Sequence, residues 1–165
     1  MLWSTWLRRF NRRRHEPPKR SMPVTVSNIQ REAPVNAAAM GRLARKAARH
    51  LKIRTPGTLA IAFISRRRMR SLNQQFLRHN WETDVLSFRY EEGSPVVGDI
   101  LVAPGMARRY AKQHGLAYAE ELARYVVHGL LHWVGHLDGT PQQEQRMRRL
   151  ENKLLVACGV LRNGY

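Results

Sequence analysis

The chain has 165 residues, enough for one domain with a buried core, and its single cysteine excludes an internal disulfide and suits a reducing, cytoplasmic compartment. With 29 Lys and Arg against 12 Asp and Glu, its formal net charge of +17 favours a polyanionic partner, nucleic acid before an anionic membrane surface. It contains no apolar run of membrane-spanning length and no unbroken apolar stretch like a secretory signal, so we expect a soluble protein without integral membrane association.

The first twenty residues form a basic extension that precedes the domain. They contain seven basic residues and one acidic residue, and they close with Pro17-Pro18 before the composition changes. Their apolar and arginine residues fall at helical spacing, so the segment is either a basic amphipathic helix on RNA or a membrane surface, or a solvated tail. An organellar transit peptide is a weaker alternative. We therefore divide the chain into an extension, 1–20, and a domain, 21–165.

Strands and helices are mixed along the domain. Short β-branched or continuous apolar runs predict strands, whereas alanine-rich or periodic apolar segments predict helices, one of which can begin at Pro104. The predicted strands are 22–29, 57–65, 84–90 and 97–103; the predicted helices are 35–51, 66–77, 104–114, 118–134 and about 141–157. The pattern indicates a single α+β domain, with a mixed sheet of about four strands and five or six helices.

The stretch "VVHGLLHWVGHLDG", 126–139, begins inside the fourth predicted helix and carries a histidine pair. Residues four apart lie on one face of a helix, so His128 and His132 can offer two imidazoles to one ion. Gly135 can adopt a positive φ, end the helix and turn the chain back toward that ion. Asp138 then completes a metzincin-like frame, H-x-x-x-H-x-x-G-x-x-D, and predicts a metal site at the end of this helix.

Gly129 argues against the peptidase that such a frame usually implies. Zinc peptidases place a glutamate at this second position, where it acts as the general base that activates the metal-bound water. Glycine has no side chain for this role. Hydrolysis of another substrate remains open, because a metal ion alone can lower the pKa of a bound water.

Several segments together identify a family. "HGLLHWVGHLDG" resembles the H-G-x-L-H-x-x-G-Y-D-H pattern of the YbeY family of bacterial endoribonucleases. "LNQQF" at 72–76, "TDVLSF" at 83–88, "GDI" at 98–100 and "EELARYVVHG" at 120–129 resemble further family segments in the same order. The resemblance covers about residues 22–157. It implies a small α+β fold, one metal ion, usually zinc, held by three side chains, and cleavage of single-stranded RNA.

Two positions depart from the family pattern. The family's first two metal-binding histidines fall on His128 and His132, but its third falls on Asp138. Asp138 can bind through oxygen; His136 is the alternative ligand, although Gly135 is expected to swing its side chain away. The family's arginine after the aromatic residue is displaced by one position, to Arg78. We assign Arg78 a catalytic role at the phosphate, which requires that it reaches the cleft because the helix has ended or the backbone has adjusted. The alternative is that Arg78 is one more surface arginine.

The resemblance also implies a place in ribosomal RNA maturation and ribosome quality control. The expected partners are ribosomal RNA, the small ribosomal subunit and ribosome-assembly proteins. The leading hypothesis is a metal-dependent endoribonuclease. The alternative is an RNA-binding ribosome-assembly factor whose metal ion is structural, and a metalloprotease is disfavoured by Gly129.

Overall fold

The computed structural model describes residues 22–54, 57–90 and 96–162. Within these ranges the chain forms four strands and five helices, as the sequence predicts. In chain order they are β1 Val24–Asn28, α1 Ala37–His50, β2 Thr58–Phe63, α2 Arg66–Leu77, β3 Val85–Arg89, β4 Val96–Val102, α3 Pro104–His114, α4 Tyr118–Trp133 and α5 Pro141–Ala157. The predicted N-terminal extension, 1–20, lies outside the described residues, and the division at residue 20 stays a prediction.

The four strands form one mixed sheet in the order β1-β2-β4-β3. β1 pairs in parallel with β2 and β2 with β4, whereas β3 returns antiparallel along β4. Helices connect the parallel strands because a parallel pair needs a crossover, while the adjacent β3 and β4 need only a short connection. The predicted α+β class with a mixed sheet is confirmed.

Local chemistry explains why the helices begin where they do. Asn36 and Ser65 cap α1 and α2 through side-chain oxygens that accept from backbone N–H groups. At α5, Thr140 and Gln143 form a reciprocal capping box. Pro104 occupies the first turn of α3, where its missing N–H costs nothing. All five observed helices start within two residues of their predicted positions.

Helix α4 is the central helix of the domain. It contacts α1, α3, α5 and both β3 and β4. Leu122, Val126, Val127, Leu130 and Leu131 along it are buried in the main core. A smaller cluster around Met69 packs beneath α2. Because α4 is held on several sides, the histidines at its C-terminal end are carried by a rigid element.

Cys158 is buried in the main core at the end of α5, as its apolar neighbours predict. None of the helices in the described ranges is both long and apolar enough to cross a membrane.

Candidate metal centre

The turn after α4 has the geometry that the sequence predicts. α4 ends at Trp133, and Gly135 has a φ of 98°, which L side chains rarely adopt. The N–H of Gly135 donates to the carbonyl of His132 at 2.9 Å, and the N–H of His136 donates to the carbonyl of Leu131 at 3.0 Å. These two bonds are a Schellman motif, and they reverse the chain so that the following residues return toward the helix end.

The returning chain brings Asp138 against the two histidines. The Nε2 atoms of His128 and His132 lie 2.9 Å apart. Asp138 Oδ2 lies 3.5 Å from Nε2 of His128 and 3.4 Å from Nε2 of His132. One ligand atom from each residue therefore falls within 4.8 Å of the others, so the three side chains could hold a single metal ion.

Each histidine is oriented through its other ring nitrogen. His128 Nδ1 donates to the carboxylate of Glu151 at 2.7 Å, and His132 Nδ1 donates to the carbonyl of His136 at 2.9 Å. With hydrogen on both Nδ1 atoms, both neutral rings turn Nε2 lone pairs toward Asp138. Three acceptor atoms facing one another repel, and a cation between them removes that repulsion. The donor set suits zinc, which binds imidazole and carboxylate ligands.

Glu151 is the buried anchor of this arrangement. It comes from α5, is 6% exposed, and also accepts from Arg124 Nη1 at 3.1 Å. Burial raises the pKa of Glu151, but its hydrogen bonds to His128 and Arg124 outweigh that effect and leave the pKa below its usual value. Glu151 is therefore ionised and accepts the hydrogen bond from His128 Nδ1. Histidines that bind metal ions usually donate their other ring N–H to such a partner.

The pKa of His128 reflects the same surroundings. Burial is the largest single effect and lowers the pKa of His128. The hydrogen bond to Glu151 and the nearby carboxylates of Asp84 and Asp138 raise the pKa and together outweigh burial, so it lies above the ordinary value. Carboxylates on several sides thus favour positive charge at this point of the molecule.

His136 contributes its backbone to the site. Its carbonyl orients His132, whereas its imidazole is not among the three ligand groups that come together in the described part of the chain. The turn at Gly135 directs the main chain of His136 back to the helix end, so that its carbonyl and not its imidazole meets His132. The choice of Asp138 over His136 as the metal ligand stays a prediction, and this geometry favours it.

Gly129 packs against the sheet and not toward the histidine cluster. A Cβ built on it would lie 2.5 Å from Ile100 Cγ2 and 2.7 Å from Val85 Cγ1. The hydroxyl of Ser87 donates to the Gly129 carbonyl at 2.8 Å, which fixes the helix on β3. This position has no room for the peptidase glutamate.

A cleft of about 480 Å³ opens beside His128 and Asp138. It is strongly acidic, because six of the chain's 12 carboxylates line it, against two arginines. The six are Asp84, Glu120, Glu121, Asp138, Glu144 and Glu151. The cleft therefore attracts cations and repels phosphates, except where a metal ion, Arg124 or Arg148 compensates.

Arg78 lies outside this cleft. α2 ends at Leu77, and Arg78 takes a left-handed conformation with φ 59° as the residue that follows. The condition that the helix ends before Arg78 is thus met. Its side chain is exposed. It is not among the residues that line the cleft beside His128. Its catalytic role stays a prediction.

Glu151 is the residue that sequence reasoning missed. Its only signal was a carboxylate on the otherwise apolar buried face of α5, shared with Met147, Leu154 and Leu155. Such a carboxylate needs a buried partner, but the sequence alone does not say which one.

Comparison with known proteins assigns the chain to a family. The family model described as "Endoribonuclease YbeY" matches residues 25–159. The chain belongs to the YbeY family. One family relative, Endoribonuclease YbeY of Pelotomaculum thermopropionicum, is 33% identical over 152 residues, which cover 86% of this chain and all of the relative. The Anaeromyxobacter YbeY is 35% identical over 138 residues, with 81% and 72% covered.

A solved structure supports the fold independently. The solution structure of TM1509 from Thermotoga maritima matches with a TM-score of 0.57 and 23% identity, covering 82% of this chain and 88% of that one. At this identity the likeness shows the fold alone, and it agrees with the mixed sheet and central helix of this chain.

Proposed function

We propose that this protein is a metal-dependent endoribonuclease that cuts single-stranded RNA, with one zinc ion held by His128, His132 and Asp138. The observation that carries the proposal is the convergence of their three ligand atoms within 4.8 Å in a chain that belongs to the YbeY family. The net charge of +17 supports a polyanionic substrate. We further propose a role in ribosomal RNA maturation at the small subunit, in the cytoplasm, which is what the family resemblance implies.

The roles of the chain's own residues follow from the geometry. When bound, the ion would supply Lewis acidity at a phosphate oxygen or at the attacking hydroxyl. Glu151 holds the Nδ1 proton of His128, and the carbonyl of His136 holds that of His132, so both Nε2 atoms stay available as ligands. Gly129 leaves the site without the carboxylate base of a peptidase, which suits an attack that needs less base assistance.

Arg78 would act from outside the acidic cleft. Arg78 follows the last residue of α2 in a left-handed conformation and is exposed, so its side chain is accessible to an RNA backbone. A guanidinium binds phosphate oxygens in pairs and can stabilise the negative charge that develops during cleavage. We assign it this phosphate contact.

Two features of the site favour a second function. The missing glutamate at position 129 and the aspartate at position 138 also fit an RNA-binding ribosome-assembly factor in which the metal ion only stabilises the turn after α4. The two functions differ in whether RNA is cut.

Cleavage of an end-labelled RNA hairpin with a single-stranded tail separates them. We expect cuts in the loop and the tail but not in the stem, lost after treatment with chelator and restored by zinc. Intact RNA in the presence of zinc-loaded protein would favour the assembly factor. Cuts that persist in chelator would refute metal dependence.

The third ligand is tested by a pair of alanine variants. Asp138→Ala should weaken zinc binding strongly, because it removes one of three donors, whereas His136→Ala should leave it nearly intact, because its contribution is a backbone carbonyl. Zinc affinity of both proteins is measured by competition with a chromophoric chelator. The reverse order of affinities would make His136 the ligand.

A further inference from the structure

Three large apolar side chains are exposed where α2 ends and the following loop begins. Phe76 is 55% exposed, Leu77 50% and Trp81 57%. Two of the aromatic rings are already supported by neighbours: Phe76 meets Phe88 edge to face with 5.1 Å between ring centroids, and His79 stacks on Trp81 at 4.2 Å and 16°. We call Phe76, His79 and Trp81 the aromatic platform.

The loop that carries the platform is fixed by hydrogen bonds. Asn73 is 1% exposed and its amide donates to the carbonyl of Trp81 at 3.0 Å. Arg70 Nε donates to the side-chain oxygen of Asn80 at 3.0 Å, and Glu82 pairs with Arg109 at 3.0 Å. The exposed rings therefore stand on an ordered support and lose little conformational freedom when a ligand stacks on them.

The charge around the platform is the opposite of that in the cleft. Arg70 and Arg78 lie at the platform loop, where Arg70 also donates to Asn80, and the carboxylate of the neighbouring Glu82 is paired with Arg109. Six carboxylates, in contrast, line the cleft beside the histidines. A polyanion is repelled by the cleft and attracted by this face. Exposed aromatic rings among arginines are the combination by which proteins hold single-stranded nucleic acid, with bases on the rings and phosphates at the cations.

The platform is also close to the candidate metal centre along the chain. Asp84, three residues after Trp81, lines the cleft together with His128 and Asp138. Three residues span at most about 11 Å, so the Trp81 backbone lies within that distance of the cleft wall. The platform therefore adjoins the cleft that His128 and Asp138 line.

We propose that the aromatic platform binds unpaired RNA bases by stacking, with Trp81 as the main contact, and so selects single-stranded over double-stranded RNA. This inference rests on the proposed function in that RNA is the substrate. It adds the surface that receives the substrate and the physical basis of its selectivity. Bases in a duplex are already stacked on their neighbours, and only unpaired bases are free to stack on Trp81.

Binding of Trp81→Ala to RNA tests the proposal. Using the full chain with chelator present to keep RNA intact, we expect affinity for a short labelled single-stranded RNA to fall about tenfold, the loss that corresponds to one stacked base. Affinity for a duplex of the same length should be unchanged. The salt dependence should also be unchanged, because no charge is removed.

Two matched variants complete the experiment. Trp81→Phe keeps a ring and should retain most of the affinity, and Ile29→Ala, at a 63% exposed apolar side chain outside the platform, should bind like wild type. Wild-type affinity of Trp81→Ala for single strands would overturn the proposal and leave this face to a protein partner. Equal losses for single strands and duplex would overturn it as well. Because binding is measured without cleavage, these results are independent of whether the protein is a nuclease.

Discussion

Replacing His128 or His132 with alanine is expected to release the metal ion and to reduce RNA cleavage by more than about a hundredfold. Each substitution removes one of three donors whose atoms lie within 4.8 Å of one another. Losing a residue that merely orients a ligand usually costs about 10- to 100-fold in metal affinity or activity, so losing a ligand should cost more. Elemental analysis of the purified variants, beside a cleavage assay, measures both effects.

His50→Ala is the matched control, because His50 is an exposed histidine at the end of α1. It should keep both the metal ion and the activity. Stoichiometric zinc in His128→Ala or His132→Ala would remove that histidine from the ligand set. Glu151→Gln should have zinc content and activity between those of the ligand variants and those of His50→Ala. The amide keeps the shape of the carboxylate but holds the Nδ1 proton of His128 less strongly.

Gly129→Glu, which would restore the peptidase glutamate, is expected to destabilise the protein severely and not to create a peptidase. The Cβ alone would lie 2.5 Å from Ile100 and 2.7 Å from Val85, so the helix or the sheet would have to move. Overpacking of this kind costs about 1–3 kcal/mol, and a carboxylate buried there without a partner adds several kcal/mol more. Gly129→Ala should lower the free energy of unfolding by the overpacking cost alone. Part of that cost is offset, because alanine is about 1 kcal/mol more favourable than glycine inside a helix.

Urea unfolding of the variants gives the free energies directly. Gly139→Ala is the control, because a Cβ at this position meets nothing closer than 3.7 Å. A soluble Gly129→Glu protein with wild-type unfolding free energy would contradict the described packing of α4 on the sheet.

Local features were predictable from the sequence because their causes are local. The spacing of His128 and His132 and the glycine at position 135 determine the helix face and the turn that follows it, and the structure has both. Apolar periodicity and helix caps predicted the positions of the strands and helices, and the prediction of a mixed sheet is confirmed.

Features that depend on how distant elements dock were not predictable in the same way. Glu151 reaches His128 only because α5 packs beside α4, and a pattern along one helix carries no information about that partner. The tight contact of Gly129 with Ile100 and Val85 likewise arises between elements far apart in sequence. The sequence showed that the glutamate is absent, and the packing supplies the reason.

The measurement that tests the central claim most directly is a titration of zinc into metal-free full-length protein, with cleavage of single-stranded RNA followed at each step. If His128, His132 and Asp138 hold one catalytic ion, cleavage should be absent without metal and should rise to a plateau at one zinc ion per chain. Full cleavage by the metal-free protein, or one bound zinc ion per chain with no cleavage, would contradict a metal-dependent endoribonuclease.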